Sequence, residues 1–143
     1  MAIAYVGQHG PFTSHTLPIY LSTVSAGFPS PADDYLDQQL DLNEYLIKKP
    51  AATFYCRVSG ASMQEVGIFD GDLLIVDRSI TPRHGHIVIA VLDGEMTCKQ
   101  LDLKKGCLLA ANRQYPSISI GSEVELVIEG VVIHSIRSHV CAR

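Results

Sequence analysis

The first 47 residues contain neither lysine nor arginine, and Lys48 is the first such side chain. The whole chain has 11 lysine and arginine residues against 15 aspartate and glutamate residues, which gives a net charge of −4. Proteins that bind nucleic acid directly neutralise backbone phosphates with positive charge. The charge balance therefore argues against a surface that binds DNA directly. A protein of this kind would reach DNA through a partner.

The sequence also lacks paired cysteines and long apolar runs. Its four cysteines have no Cys-x-x-Cys spacing and are too sparse for a secreted disulfide scaffold, so a reduced, cytoplasmic setting is the simplest interpretation. Val24-Ser25-Ala26 resembles a signal-peptidase site, but no basic residue and no long apolar region precedes it. No run reaches the length of a membrane span. We therefore expect neither a signal peptide nor a membrane anchor.

At 143 residues the chain has room for one domain with a hydrophobic core and an additional arm. Residues 1–30 contain several glycines and prolines and no sustained period of 2 or 3.6, which predicts an extended, weakly held segment. Ala26-Gly27-Phe28-Pro29 could lie extended in a groove without steric conflict, although an ordinary linker would have the same composition. We predict an arm over residues 1–40 and a domain over residues 41–143.

Two cap-like spacings predict one or two short helices between residues 31 and 48. Ser30-Pro31-Ala32-Asp33 combines an N-cap residue, a proline in the first turn and an acid, and Asp41-Leu42-Asn43-Glu44 repeats the cap spacing. Lys48-Lys49-Pro50 would end the second helix. These helices are too few for a helix-turn-helix domain, which needs at least three packed helices.

From Thr53 onward, short apolar runs separated by turn signals predict β-strands. The predicted strands cover residues 53–58, 73–76, 87–92, 95–103, 107–111, 117–120 and 126–136. Many short strands at close spacing are typical of an all-β sandwich or a partly closed barrel. The fold class is therefore mainly β.

The turn Asp93-Gly94 fixes a register that singles out Lys99. With a two-residue type I′ loop, counting along both strands places Lys99 opposite Val88. The strand Ile87–Leu92 is apolar on both faces, so we expect it to be central and buried. A lysine beside it would be partly desolvated, which disfavours the charged ammonium form.

A neutral lysine amine is able to accept the proton of a serine hydroxyl, which makes the serine a nucleophile. Ser62, within Ser59-Gly60-Ala61-Ser62-Met63, is the candidate nucleophile and Lys99 its candidate base. Backbone amides of residues 60–63 could form an oxyanion hole. The motifs G-x-S-x-G and S-x-x-K do not fit, because Glu65 stands where the second requires lysine. The structural alternatives are that Ser62 is an ordinary turn residue and that Lys99 lies on a solvated face of its strand.

Two other sets of reactive side chains are better explained by structural roles. His84-Gly85-His86 could supply two metal ligands, but no third ligand lies at a suitable spacing, so we expect no metal and no cofactor. Cys98 lies next to Lys99 and therefore points to the opposite face of the strand, where a core thiol is the simpler interpretation.

The candidate pair belongs to a longer ordered pattern. Its parts are Ser59-Gly60-Ala61-Ser62-Met63, then residues 70–77 (DGDLLIVD), 84–90 (HGHIVIA) and 93–99 (DGEMTCK), and finally Gly130-Val131-Val132-Ile133-His134. In this order they resemble the LexA/UmuD family of self-cleaving serine peptidases over about residues 27–136. The resemblance is closest to the UmuD branch, because the chain has no room for the N-terminal winged helix-turn-helix of LexA-type repressors.

The resemblance implies a peptidase domain of short, strongly curved sheets with a flexible N-terminal arm. It implies that Ser62 is the nucleophile, that Lys99 is the general base and that the scissile bond joins Ala26 to Gly27. Relatives have either alanine or cysteine at the position of Ala26, and both are small enough for a tight pocket.

The resemblance also implies partners. These are a second copy of the chain in a homodimer, the RecA filament on single-stranded DNA as co-protease, and a UmuC-like Y-family DNA polymerase that the shortened protein assists in error-prone synthesis during the SOS response. Two alternatives stay open: a non-catalytic module of this fold that acts through its dimer and partner surface, and a soluble processing enzyme of the signal-peptidase kind.

Overall fold

The computed structural model describes residues 2–8, 14–20, 26–27, 36–121 and 125–140. The strands are β1 Ala2–Gln8, β2 Thr16–Tyr20, β3 Leu36–Asp41, β4 Thr53–Ser59, β5 Leu73–Asp77, β6 Ile87–Leu92, β7 Glu95–Asp102, β8 Cys107–Leu109, β9 Ile118–Ser119 and β10 Leu126–Ile136. The α-helix α1 spans Leu42–Leu46, and short 3-10 helices span Pro50–Ala52 and Gln64–Val66. The predicted mainly β fold class is confirmed.

The chain forms two compact units, residues 1–10 with 49–143 and residues 11–48. The larger unit is one antiparallel sheet of eight strands in the order β1-β4-β5-β10-β6-β7-β8-β9. A single residue pair, Ala2 with Thr97, also joins β1 to β7. The sheet therefore curls back toward its own first strand without closing a barrel, in agreement with the predicted strong curvature.

Strand β6 lies in the middle of this sheet, between β10 and β7. Its side chains alternate between two hydrophobic clusters: Ile89 packs with Phe54, and Val88 packs with Leu108. Because successive residues of a strand point to opposite faces, β6 is buried on both sides. The prediction of a central, buried strand is confirmed.

The hairpin between β6 and β7 has the predicted register. Leu92 pairs with Glu95, and Lys99 pairs with Val88. Both turn residues have positive backbone φ angles, 48° at Asp93 and 86° at Gly94. Positive φ at both central positions is the signature of a type I′ turn, whose twist matches the twist of the flanking strands.

The smaller unit contains the antiparallel strand pair β2–β3 and α1. Asp41 caps α1 as predicted, because its carboxylate accepts hydrogen bonds from the amides of Asn43 at 3.0 Å and Glu44 at 3.4 Å. The hydroxyl of Ser14 donates to the same carboxylate at 2.9 Å. The other predicted helix start, at residues 30–33, lies outside the described residues, and residues 36–41, within the interval predicted to be helical, form strand β3 instead.

Strands β1, β2 and β3 were not predicted. The glycines and prolines of the first 30 residues conceal the pattern of β1 and β2. Pro18, for example, lies within β2, which among the described residues pairs with β3 alone. Proline is tolerated on such an edge strand because its missing amide hydrogen leaves no ladder bond broken on the open side. The functional boundary between an arm over 1–40 and a domain over 41–143 stays a prediction.

Candidate active site

Ser62 lies in the loop that follows β4, immediately before the 3-10 helix Gln64–Val66. The start of the loop is fixed by Asp70, whose carboxylate accepts a hydrogen bond from the amide of Gly60 at 2.8 Å. The side chain of Met63 packs into the hydrophobic cluster beneath the loop. Ser62 itself is fully buried, at 0% exposure. The loop therefore holds its serine inside the protein.

Lys99 projects from β7, which is held between β6 and β8. Lys99 is 5% exposed, and its Nζ atom lies 3.3 Å from the Oγ atom of Ser62. The structure thus brings together the two residues that the sequence pattern singled out, although 37 positions separate them in the chain.

The amine of Lys99 lies in the protein interior, next to the Ser62 hydroxyl. In the part of the chain that the structure describes, no carboxylate forms an ion pair with Lys99. A neutral amine at hydrogen-bond distance is able to accept the proton of the Ser62 hydroxyl, which is the first requirement for a serine nucleophile.

Two backbone amides next to Ser62 are available to bind an oxyanion. Within the described residues, the N–H groups of Ser62 and Met63 donate to no protein acceptor. The amide of Gly60 is committed to Asp70. Of the predicted donor set of residues 60–63, the amide of Ala61 is likewise uncommitted among the described residues. The two amides nearest the nucleophile, at Ser62 and Met63, are the candidates for stabilising negative charge on a carbonyl oxygen.

A segment after β8 braces the loop on both sides of Ser62. The side-chain amide of Asn112 donates from Nδ2 to the carbonyl oxygen of Ala61 at 2.7 Å. The amide of Glu65 donates to the carbonyl oxygen of Ala111, also at 2.7 Å. Sequence reasoning missed Asn112, because 51 positions separate it from Ala61 and its Asn-x-x-Tyr context signals only a turn.

The family model described as Peptidase S24-like matches residues 18–133. The chain belongs to the Peptidase S24-like family. It is 48% identical to Protein MucA of Salmonella typhimurium over 132 residues, which cover 90% of each chain. It is 49% identical to Protein SamA of Salmonella typhimurium strain LT2 over 127 residues, covering 86% of this chain and 89% of SamA.

The LexA repressor of Alcanivorax borkumensis is 37% identical over 132 residues, which cover 91% of this chain and 63% of the repressor. These relatives confirm the resemblance to the LexA/UmuD family, and with it the prediction of a UmuD-like protein of SOS mutagenesis. The S24 family is one of self-cleaving serine peptidases.

Cys98 lies in the hydrophobic core. It is fully buried in the hydrophobic cluster that contains Phe54 and Cys56. Burial, with a smaller contribution from Cys56, raises the pKa of the Cys98 thiol to about 12. The reactive species of a cysteine is the thiolate, so this thiol is inert at neutral pH. The prediction of a core thiol is confirmed.

The two histidines of the His84-Gly85-His86 turn are engaged by backbone amides. Nδ1 of His84 accepts a hydrogen bond from the amide of Leu103, and Nδ1 of His86 accepts one from the amide of Arg83, each at 3.1 Å. Among the described residues, no three histidine, cysteine or acidic side chains are placed to hold a metal ion.

Among the same residues, no helix has the length and apolar character needed to cross a bilayer.

The predicted cleavage site belongs to the smaller unit. Ala26 and Gly27 are both exposed to solvent, as a peptide bond must be before it can enter an active site. The assignment of the scissile bond to this pair stays a prediction.

Proposed function

We propose that this S24 protein cuts its own chain between Ala26 and Gly27, with Ser62 as nucleophile and Lys99 as general base. The observation that supports this most directly is the 3.3 Å contact between the Lys99 amine and the Ser62 hydroxyl. Both side chains are buried. The structural alternative was a lysine on a solvated face, and such a lysine would have its amine in water.

The chemistry follows from these groups. Lys99 accepts the hydroxyl proton while Ser62 Oγ bonds to the carbonyl carbon of Ala26, and the carbonyl oxygen becomes an oxyanion that the amides of Ser62 and Met63 stabilise. The bond to Gly27 then breaks, and its nitrogen leaves as an amine after taking the proton from Lys99. Water, deprotonated by the same lysine, hydrolyses the Ala26 ester and frees Ser62.

The length of the chain permits cleavage within one molecule or between two. Ala26 and Ser62 are 36 positions apart, and an extended chain of that length spans on the order of 100 Å. The RecA filament on single-stranded DNA acts as co-protease by stabilising the conformer in which the arm occupies the site. The shortened chain forms a homodimer and serves a UmuC-like Y-family polymerase.

Self-cleavage is tested by incubating the full chain at mildly alkaline pH and measuring intact mass. Alkaline pH favours the neutral lysine, so we expect a fragment that begins at Gly27. A matched Ser62→Ala protein should give none. A second set of samples contains RecA, single-stranded DNA and ATP at neutral pH. A dilution series of the protein separates intramolecular from intermolecular cleavage.

The outcomes discriminate between the functional classes. A wild-type protein that is never cut, with or without RecA, contradicts the proposal and favours the non-catalytic binding module. Equal cleavage by Ser62→Ala removes Ser62 as nucleophile. Cleavage of a foreign presecretory protein would instead favour a processing enzyme of the signal-peptidase kind.

A further inference from the structure

Both polar atoms of the Asn112 side-chain amide form hydrogen bonds. Nδ2 donates to the carbonyl oxygen of Ala61 at 2.7 Å, and Oδ1 accepts from the backbone amide of Gln114 at 3.0 Å. One partner needs a donor and the other needs an acceptor, so the orientation of the side chain is fixed. Aspartate would satisfy Gln114 but has no proton to donate to Ala61 at neutral pH.

The Ala61 carbonyl accepts this bond and a longer one from the amide of Gln64 at 3.4 Å. The shorter bond, from Asn112, bears on where the amide of Ser62 points. The Ala61 carbonyl and the Ser62 N–H belong to the same planar trans peptide, in which the two groups point in opposite directions. Holding the carbonyl toward Asn112 therefore holds the N–H on the other side of the loop. Donation to the carbonyl also polarises the peptide, which makes its N–H a stronger donor.

We propose that Asn112 is a positioning residue, which aims the Ser62 amide at the oxygen that becomes negative during attack. The inference rests on the proposed self-cleavage and deepens it, because it assigns a role to a residue outside the Ser62–Lys99 pair. Nδ2 of Asn112 acts through the peptide and does not touch the reacting atoms. In serine peptidases generally, oxyanion donors must be aligned before the reaction, since realignment during it would cost part of their effect.

A residue that only stabilises the loop would affect the cleavage rate differently from a residue that positions the Ser62 amide. The hydrogen bond from Gly60 to the Asp70 carboxylate, at 2.8 Å, holds the same loop but leaves the Ala61–Ser62 peptide untouched. If Asn112 only stiffens the loop, removal of either bond should slow cleavage to a similar extent. Asp70→Ala is therefore the matched control for Asn112→Ala.

The experiment measures the first-order rate of self-cleavage of the full chain as a function of pH, without RecA. For Asn112→Ala we expect the maximal rate to fall about 10- to 100-fold, somewhat less than the loss when an oxyanion donor is deleted outright. The pH of half-maximal rate should not move, because the contact between Lys99 and Ser62 is not altered. Asp70→Ala should slow the reaction less than about threefold, since an exposed hydrogen bond contributes little.

A second variant keeps the shape of the side chain. Asn112→Asp preserves the contact with Gln114 and replaces the donor by a carboxylate oxygen that faces the Ala61 carbonyl. We expect its maximal rate to fall at least as far as that of Asn112→Ala. Thermal unfolding of each variant sets the assay temperature below the lowest midpoint, so that all rates compare folded proteins.

Three results would overturn the role of Asn112. They are a rate within about threefold of wild type for either Asn112 variant, equal losses in Asn112→Ala and Asp70→Ala, and a displaced pH of half-maximal rate in Asn112→Ala. A wild-type protein that does not cleave at all is a different result: the proposed function fails, and this inference fails with it.

Discussion

Lys99 and Ser62 are both buried, although lysine almost never is fully buried in proteins and serine seldom is. Burying an amine without a carboxylate partner costs stability, and a domain built only for packing would place an apolar side chain there. The 3.3 Å contact between Nζ and Oγ gives the buried amine a partner with which it can exchange a proton. Such departures from packing rules are concentrated at functional sites.

Replacement of Lys99 by methionine separates catalysis from folding. Lys99→Met keeps the length of the side chain and removes the base, so we expect self-cleavage to fall to the level of Ser62→Ala. The free energy of unfolding should stay within about 1 kcal/mol of wild type or rise, because an apolar group replaces a buried polar one. Intact mass and urea unfolding measure the two effects.

The exposed Lys104 provides the matched control for this prediction. Lys104→Met should cleave at the wild-type rate. Cleavage by Lys99→Met at a rate close to wild type would remove Lys99 as the base.

Asp72 should make the stability of the fold depend on pH. Burial alone raises the pKa of Asp72, but hydrogen bonds from Arg137 and the Phe69 amide, with the positive charge of Arg137, outweigh it and leave the pKa below its ordinary value. A carboxyl with a lowered pKa stabilises the fold above its unfolded pKa, about 3.9. That contribution is lost as the pH falls from there through the lower pKa of the folded state.

Asp72→Asn tests this linkage. At pH 7 we expect the free energy of unfolding to fall by about 1–3 kcal/mol, because Arg137 and the Phe69 amide lose a charged acceptor. The difference from wild type should narrow below about pH 4. Urea unfolding at pH 7 and pH 3 measures it, and an equal difference at both pH values would contradict the prediction.

The β6–β7 hairpin shows how far one element can be predicted from sequence. Asp93-Gly94 specifies the turn, the turn specifies the register, and the register places Lys99 opposite Val88, as the structure confirms. The contact with Ser62 could not be predicted this way. Its loop is held by Asp70 and Asn112, and tertiary contacts across 51 positions leave no periodic trace in the sequence.

The type I′ turn should be sensitive to the residue at position 94. Gly94 has a φ of 86°, in a region that costs a residue with a side chain roughly 1–2 kcal/mol. Gly94→Ala should therefore lower the free energy of unfolding by about that amount. Gly121→Ala is the control, because an added Cβ there meets open space. Equal stabilities of the two variants in urea would contradict the assignment.

Gly130 permits β10 to lie close to β5, its neighbour in the sheet. A Cβ at this position would lie 2.7 Å from Cγ1 of Val76 and 3.1 Å from the backbone oxygen of Asp77. Gly130→Ala should destabilise the fold by about 1–3 kcal/mol through overpacking. Adding Val76→Ala should recover only part of the loss, since the backbone oxygen remains. A double-mutant cycle in urea measures this coupling, and its absence would contradict the close contact.

At the scale of the whole molecule, the net charge of −4 and the absence of lysine and arginine from the first 47 residues bear on whether the chain binds DNA by itself. Non-specific DNA binding comes from phosphate neutralisation, so this chain should bind labelled single-stranded DNA with a Kd above about 10⁻⁴ M at physiological salt. Fluorescence anisotropy measures this directly.

Single-stranded DNA should accordingly stimulate self-cleavage only when RecA is present. The comparison uses four samples of the full chain at neutral pH: alone, with DNA, with RecA, and with both. We expect the fragment that begins at Gly27 to accumulate only in the last, because the filament supplies the DNA contact that an acidic protein cannot make. Stimulation by DNA alone, or tight binding that weakens steeply with salt, would show that the chain has a nucleic-acid surface of its own.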